Sequence, residues 1–530
     1  MPASDITSRG GGGGPNPDQP YGPRVRTQSL AKRLPSLPTS EMAATASWLR
    51  FSFFAMLAFA PLPFGSNRPL WWTVLALWTG GMMAAYAYRI WSGRERPGIG
   101  LWALLPIVLP YLAAVLWAIV QTWPIPFDGL AHPIWNDASD ALVGKPMSQH
   151  ISLDPHRTGT GVMRLLTYAG IFWLALQFGR DRVFADRLLK VLTWTGLVYA
   201  TYGVIVHVFG VERVLWYPKQ AYVGFLTSTF INRNSYATYA ALGLMCSTAV
   251  LFTVLRDSLQ RKTLTKRTWM HLIETLTGPG AVPLVATCIL GTALLQTVSR
   301  AGEVCTMIGL LVFMILTGVA RLVAWRHTFV PVFGIVVVTI VLLLINGTNV
   351  MSRIQTLNAD RIERTQMYEV TANAIGDAPV VGVGLGTFPS IFAMYRQPSY
   401  VNTMPVENAH NSYLENALEL GLPATILLLG SLGAVLEACI MALKRRKRGR
   451  IFPIVGIAAI TTVTLHAVVD FSLEIPAVAV TFAAIIGVAC AQSFRTSRKS
   501  RLKFQVLPES PGEAATNITQ FRRASANGSP

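Results

Sequence analysis

Charge is what this chain has least of. Of 530 residues only 13% are Asp, Glu, Lys or Arg, about half the share of an ordinary soluble domain. Acidic residues are the scarcest: 26 Asp and Glu face 45 Lys and Arg, a formal net charge of +19. Cysteine is sparse as well. Cys246, Cys288, Cys305, Cys439 and Cys490 all fall inside apolar runs without ligand spacing, which argues for buried thiols and against disulfides or zinc. Alternating ten-residue segments are missing, so a membrane β-barrel is excluded. The glycines Gly382, Gly384 and Gly386 stand in G-x-G-x-G spacing with no βαβ unit around them. That spacing marks a tight turn that lets backbone approach a neighbour, not a dinucleotide site. No internal repeat is visible along the chain.

What is abundant is apolar sequence, at 52% of residues. Runs of roughly 18 to 22 apolar residues, each able to cross about 30 Å of hydrocarbon as a helix, recur along most of the chain. They fall near 43–64, 69–89, 101–121, 161–178, 191–210, 232–254, 283–299, 302–320, 329–346, 422–443, 451–470 and 474–492. The predicted fold class is therefore all-α, a polytopic membrane protein with about twelve transmembrane helices and one large outer loop. Residues 1–42, rich in Gly, Pro and Ser and carrying Arg24, Arg26, Lys32 and Arg33, read as a disordered basic cytoplasmic tail. The first apolar run reads as a retained anchor and not as a cleaved signal. Spans one to nine occupy 43–346, the loop 347–421, spans ten to twelve 422–492, and a second cytoplasmic tail 493–530. With the amino terminus inside, the basic clusters at 89–96, 180–190, 256–267, 321–326 and 444–450 and in the final tail all land on one side. The positive charge is thus topology, not a nucleic-acid footprint, and the loop 347–421 lies outside the cytoplasmic membrane.

That loop is too long for an ordinary connection, and its mixture of Gly, Pro, aromatic and charged residues speaks against disorder, so function is expected there. Arginines on the outer side run against the charge bias. They are Arg233, with Asn234 beside it, in FINRNSYATY; Arg300 in the tight TVSRAGE turn; Arg361 and Arg364 in DRIERTQMYEV; and Arg396. Snorkelling or helix capping is the plain alternative for each. Arg300, set between two apolar runs, fits that alternative least. Guanidinium groups bind phosphate oxygens bidentately and stay charged, so several around one outward cavity suit a diphosphate carried on a lipid. The loop has no clustered Asp pair or Asp-x-Asp to do this through a metal.

His410, in AHNSYLENALELG, shares a helical stripe with Leu414, Ala417, Leu418 and Gly421 and so is expected to face inward. An imidazole titrates near neutral pH, which makes His410 the candidate base for a hydroxyl attacking an anomeric carbon; a hydrogen-bonded core histidine is the alternative. Glu407, Asn411 and Glu415 are near enough to orient it, with Glu415 on a different face. Their plain reading is helix-start capping and solvent exposure. His466 and Asp470 in LHAVVDFSLEIP, four apart, are expected on one face near the outer end of span eleven, either as functional groups or as a His–Asp bond tying two spans together.

FINRNSYATYAALG, TVSRAG, the Arg364 to Tyr368 segment followed by APVVGVGLGTF, AHNSYLENALELGLP and HAVVDFSLEIP come in an order that resembles the O-antigen ligase family, whose relatives include O-antigen and exopolysaccharide polymerases. The resemblance covers roughly residues 200 to 490. It implies a metal-independent glycosyltransferase without cofactor, in the bacterial inner membrane with its active face periplasmic. Such an enzyme moves a glycan from undecaprenyl diphosphate to an acceptor sugar such as lipid A core. By motif, His410 matches the family's essential histidine, and Arg300 and Arg364 match arginines that engage the diphosphate; Arg361, one turn before Arg364, competes for that place. The implied partners are a lipid-linked glycan donor, a saccharide acceptor and membrane lipid, with no nucleic acid. Two alternatives stay open. A polymerase would use the same donor chemistry on another lipid-linked unit. A lipid-linked oligosaccharide transporter fits the hydropathy too, although transporters gather polar groups at the midplane, whereas here they concentrate in one outward loop.

Overall fold

The computed structural model describes residues 39–125, 129–142, 147–259, 266–323, 350–396, 406–446 and 449–494; the apolar run expected at 329–346 lies outside them. The chain divides into a unit of residues 1–45 and one of residues 46–530, and the second holds the bundle. Its first half contains α1 (Thr39–Phe59), α2 (Pro69–Trp91), α3 (Leu105–Val120), the short α4 (Ile134–Ala141), α5 (Pro155–Phe178) and α6 (Arg182–Val208). A two-stranded antiparallel hairpin follows, β1 (Arg213–Val214) and β2 (Tyr217–Pro218). Next come α7 (Arg233–Leu259), α8 (Lys266–Thr277), α9 (Ala281–Gln296) and α10 (Arg300–Val319). The second half adds α11 (Val350–Asp377), α12 (Phe388–Tyr395), α13 (Ser412–Leu420), α14 (Leu422–Arg445), α15 (Ile451–His466) and α16 (Pro476–Ser493).

Among the described residues 7 helices are long and apolar enough to cross a membrane, and shorter apolar helices lie at Ser47–Phe59, Ala281–Gln296 and Ile451–His466. The protein is all-α and multi-pass. Two of the apolar runs are helical for only part of their length: the run 283–299 is helix to Gln296, and the run 451–470 is helix to His466.

The bundle is organised around α16, every residue of which from Pro476 to Gln492 is buried. It packs most extensively along α5. Gly487 permits the approach: a Cβ there would stand 2.7 Å from the Phe172 carbonyl oxygen, the small-residue contact by which membrane helices come close. By contrast α3 and α14 are apolar with few fully buried residues, as helices facing lipid are.

The basic connections gather at one end. Arg180 Nη1 donates to the carbonyls of Ala491 and Phe494, both at 2.8 Å, Arg450 Nη1 donates to Ala320 O at 2.8 Å, and Arg50 pairs with Asp181 at 2.9 Å. The opposite ends of α5 and α15 meet the described polar residues ahead of α14: a Cβ on Gly161 would stand 2.6 Å from Leu385 Cγ, and Tyr413 Oη donates to Thr464 O at 2.8 Å. These polar residues are largely helical. Among them α11, α12 and α13 close over their own core of Met367, Val370, Phe388, Ile391, Phe392, Ala409 and Leu418. The glycine turn locks it down: Val383 N donates to Leu418 O at 3.1 Å and Gly384 N to Glu419 O at 2.9 Å. From α3, Gln121 Nε2 donates to both Val381 O (2.8 Å) and Glu419 O (2.9 Å), tying the stretch to the membrane helices.

Candidate functional site

The histidine is held outside the helix it was expected to share. Asn411 is the N-cap of α13, its Oδ1 accepting from Tyr413 N at 3.0 Å and Leu414 N at 3.1 Å, so the helix begins at Ser412. A cap side chain that satisfies the first free N–H groups stops the helix from extending backwards. His410 therefore precedes α13 in the left-handed region, at φ 50°, a conformation that costs energy outside glycine. Three bonds hold it there. Tyr368 Oη donates to His410 O at 3.0 Å, Ala409 N donates to Glu415 Oε2 at 2.8 Å, and Ser412 N donates to Ala467 O at 2.9 Å. Asn411 is thus the cap its plain reading described. Glu415 is not: it is buried, and it reaches back onto the loop that carries the histidine.

The imidazole faces Asp470, not the solvent alone. His410 Nδ1 lies 3.7 Å from Asp470 Oδ1, an ion-pair distance too long for a hydrogen bond, with the histidine side chain 28% exposed and the aspartate 1%. Nδ1 itself is buried, so the exposure lies elsewhere on the side chain. Phe471 closes one side, its ring edge-on to the imidazole with centroids 4.8 Å apart. Asn234 Nδ2 donates to the same Asp470 oxygen at 3.3 Å. The other oxygen accepts from Ser472 Oγ.

Behind this pair, His466 does not bond Asp470 directly, because α15 ends at His466 and the intervening residues turn. Instead Thr238 Oγ1 lies 2.7 Å from His466 Nδ1 and 2.8 Å from Ser472 Oγ. The shortest of these distances fit a relay in which His466 Nδ1–H donates to Thr238, Thr238 to Ser472, and Ser472 to Asp470. Burial works against the Asp470 charge, but the adjoining His410 imidazole, the nearby His466 and the Ser472 hydroxyl outweigh it and hold the carboxyl below its ordinary range.

A cavity of about 2360 Å³ opens in front of His410. Arg233, Asn234, Arg364, Arg396, Glu407 and Glu415 also line it. Arg364 and Tyr368 lie one turn apart on α11, and Arg364 Nη1 donates to Val469 O at 3.1 Å, next to Asp470. Arg233 opens α7, its guanidinium 4.2 Å above the Phe225 ring. Arg300 is placed differently from expectation. It is the first residue of α10 and is not among the cavity-lining residues. The buried carboxylate of Glu303, one turn on, feels both Arg300 and Arg233, so Arg300 stands behind the wall. Arg361 lies on α11, but its side chain is outside the described ones. Glu407 is exposed at the rim.

Sequence reasoning passed over a second polar group on the same wall. Arg164, from α5, donates to Glu474 O and lies 3.4 Å from Glu474 Oε2, with its guanidinium 5.4 Å from the Trp72 ring. Glu419, a turn beyond Glu415, accepts from Phe388 N at 2.9 Å. Burial lifts the carboxyls of both Glu415 and Glu419 above their ordinary range. The only signal available was an arginine inside an apolar run, TGVMRLLTYAG. Among the described residues no cluster of three or more His, Cys, Asp or Glu is arranged to hold a metal ion.

The arrangement offers an imidazole with a buried carboxylate behind it, and arginines around a cavity partly lined by apolar helices. No curated protein matches the chain. Residues 285–429, which carry Arg300, Arg364 and His410 but not Asp470 or Arg233, match the family described as O-antigen ligase, and this stretch is similar to that family.

Proposed function

We propose that this protein is a metal-independent glycosyltransferase that moves a glycan from undecaprenyl diphosphate to the hydroxyl of an acceptor sugar on the periplasmic face of the inner membrane. One observation carries the reading: His410 Nδ1 stands 3.7 Å from the buried carboxylate of Asp470, on the wall of a cavity that also bears Arg233 and Arg364. A carboxylate at Nδ1 keeps the proton there and leaves the Nε2 lone pair toward the cavity. In the reaction Nε2 takes the proton of the acceptor hydroxyl as its oxygen bonds to the anomeric carbon. The bond from that carbon to the diphosphate oxygen breaks, and the lipid diphosphate leaves with the electron pair. One in-line displacement inverts the anomeric centre. Arg233 and Arg364 neutralise the charge that grows on the leaving group, which is where fixed cations lower a barrier. Arg300 acts one layer back, by balancing Glu303 beside Arg233.

The test is transfer by purified protein from an undecaprenyl-diphosphate glycan to candidate acceptors, with and without EDTA. Expected is transfer that survives EDTA and falls by about a thousandfold in His410→Ala. Activity that needs a divalent ion, or that persists in well-folded His410→Ala, overturns the reading. Lipid A core as acceptor gives a single attachment, and another lipid-linked unit gives a ladder, so the product separates ligase from polymerase.

A further inference from the structure

Between α6 and α7 the chain builds the β1–β2 hairpin, outside the residues that match the family. Val214 pairs with Tyr217, which leaves Leu215 and Trp216 as a two-residue turn. Leu215 has φ 55°, at a position where such turns ordinarily use glycine. The segment is braced as few surface hairpins are. Lys219 Nζ lies 3.1 Å from Glu212 Oε2 with only 4% of the lysine side chain exposed, and it donates to Phe225 O at 2.7 Å. Gly224 N donates to Glu212 Oε1 at 3.0 Å, and Leu215 N donates to Tyr202 Oη at 3.2 Å.

This bracing holds two rings in the open. Phe64 packs edge-on against Trp216 and Tyr217, with centroids 5.6 Å and 5.5 Å away. Trp216 nevertheless stays 63% exposed and Tyr217 58% exposed, and both line the cavity. The far end of the same segment supplies Phe225 and Tyr222, which lie 4.2 Å and 5.6 Å from the Arg233 guanidinium. One rigid segment therefore connects the exposed rings to a cation of the site.

The geometry points to a saccharide subsite on this hairpin, in which Trp216 and Tyr217 take the apolar faces of the sugar units nearest the donor's diphosphate. The inference rests on the transferase reading above. A diphosphate on Arg233 sets its attached sugar beside the segment that carries the rings. Pyranoses present flat C–H faces that stack on aromatic rings, while their hydroxyls turn to polar groups. Rings already fixed by the turn lose little freedom on binding. Anchoring in the lipid headgroups is the other common use of exposed Trp and Tyr. Here the rings sit on a hairpin instead of a spanning helix, and they face the cavity that Arg233 shares.

The test is binding by the full-length protein in nanodiscs of three probes: undecaprenyl diphosphate, the same lipid bearing one N-acetylhexosamine, and the same lipid bearing a trisaccharide. In Trp216→Ala the two sugar-bearing probes are expected to bind roughly tenfold more weakly while the bare lipid is unchanged, and Trp216→Phe is expected to retain most of the affinity. Equal weakening of the bare lipid overturns the subsite and assigns the rings to the bilayer or the fold. Unchanged binding of every probe overturns it as well. Binding is read without turnover, so the two readings fail separately. Trp216-dependent binding without transfer overturns the transferase alone, and intact transfer without Trp216 dependence overturns the subsite alone.

Discussion

The Asp470 carboxylate lies against His410, Asn234 and Ser472, and Asp470 is not among the cavity-lining residues. In the proposed reaction it would act through His410, fixing the histidine's tautomer and stabilising the imidazolium once a proton has moved, the task that buried carboxylates perform in hydrolytic triads. Asp470→Asn preserves shape and removes the charge. We expect kcat for glycan transfer to fall by roughly a hundredfold or more with donor KM little changed. A variant with wild-type kcat would show that the pairing is only structural. The sequence exposed both members of this pair but joined the wrong ones. His466 and Asp470 were linked because they stand four apart, whereas the true partner lies on a different element. Spacing reports neighbours along one helix, and a contact between the end of α15 and the start of α13 leaves no periodic trace.

At the scale of the element, the turn that contains Gly382, Gly384 and Gly386 holds the end of α13. All three have positive φ, at 68°, 108° and 79°. Their surroundings differ. A Cβ on Gly382 would stand 2.4 Å from Glu419 O and 2.5 Å from Gly421 N, both backbone, while on Gly386 the nearest atom would be Arg157 O at 3.4 Å. Alanine at either position carries the strain of a left-handed residue, about 1 kcal/mol, but only at Gly382 must the backbone of α13 also move. Thermal melting is therefore expected to place Gly382→Ala well below Gly386→Ala, with Gly386→Ala within about 4 °C of wild type. The reverse order would mean that the turn does not bear on α13. The sequence carried this element legibly, since glycines at such spacing have few uses. It did not carry the three helices that fill the polar stretch around it. Polar residues there obscured their periodicity, and the apolar contacts that hold them come from one another.

Across the whole molecule, the two ends of the bundle divide the labour. Arg180, Arg446 and Arg450 hold helix ends together at one end, and Arg233, Arg364 and His410 gather at the other. The charge bias predicts the first end in the cytoplasm. In a cysteine-free background, Glu407→Cys should react with a membrane-impermeant maleimide in spheroplasts, while Arg94→Cys should react only after permeabilisation. The opposite pattern would reverse the orientation and remove the site from the periplasm. The gathering of basic residues at one end was legible because they cluster in alternate connections between apolar runs. Where an apolar run leaves its helix was not, because hydropathy marks composition alone, and the run 451–470 leaves its helix after His466.

The buried helix α16 has a consequence for how the protein is made. It is the last helix described and the axis on which α5, α14 and α15 pack, and it has no face of its own to offer lipid. The other helices leave the ribosome first and must wait in the bilayer around an unfilled centre. Closure comes only when residues 476–493 arrive, so the decisive assembly step follows insertion of the helices described before it. A truncated product lacking this segment would display the groove it should fill, a clear mark for membrane quality control.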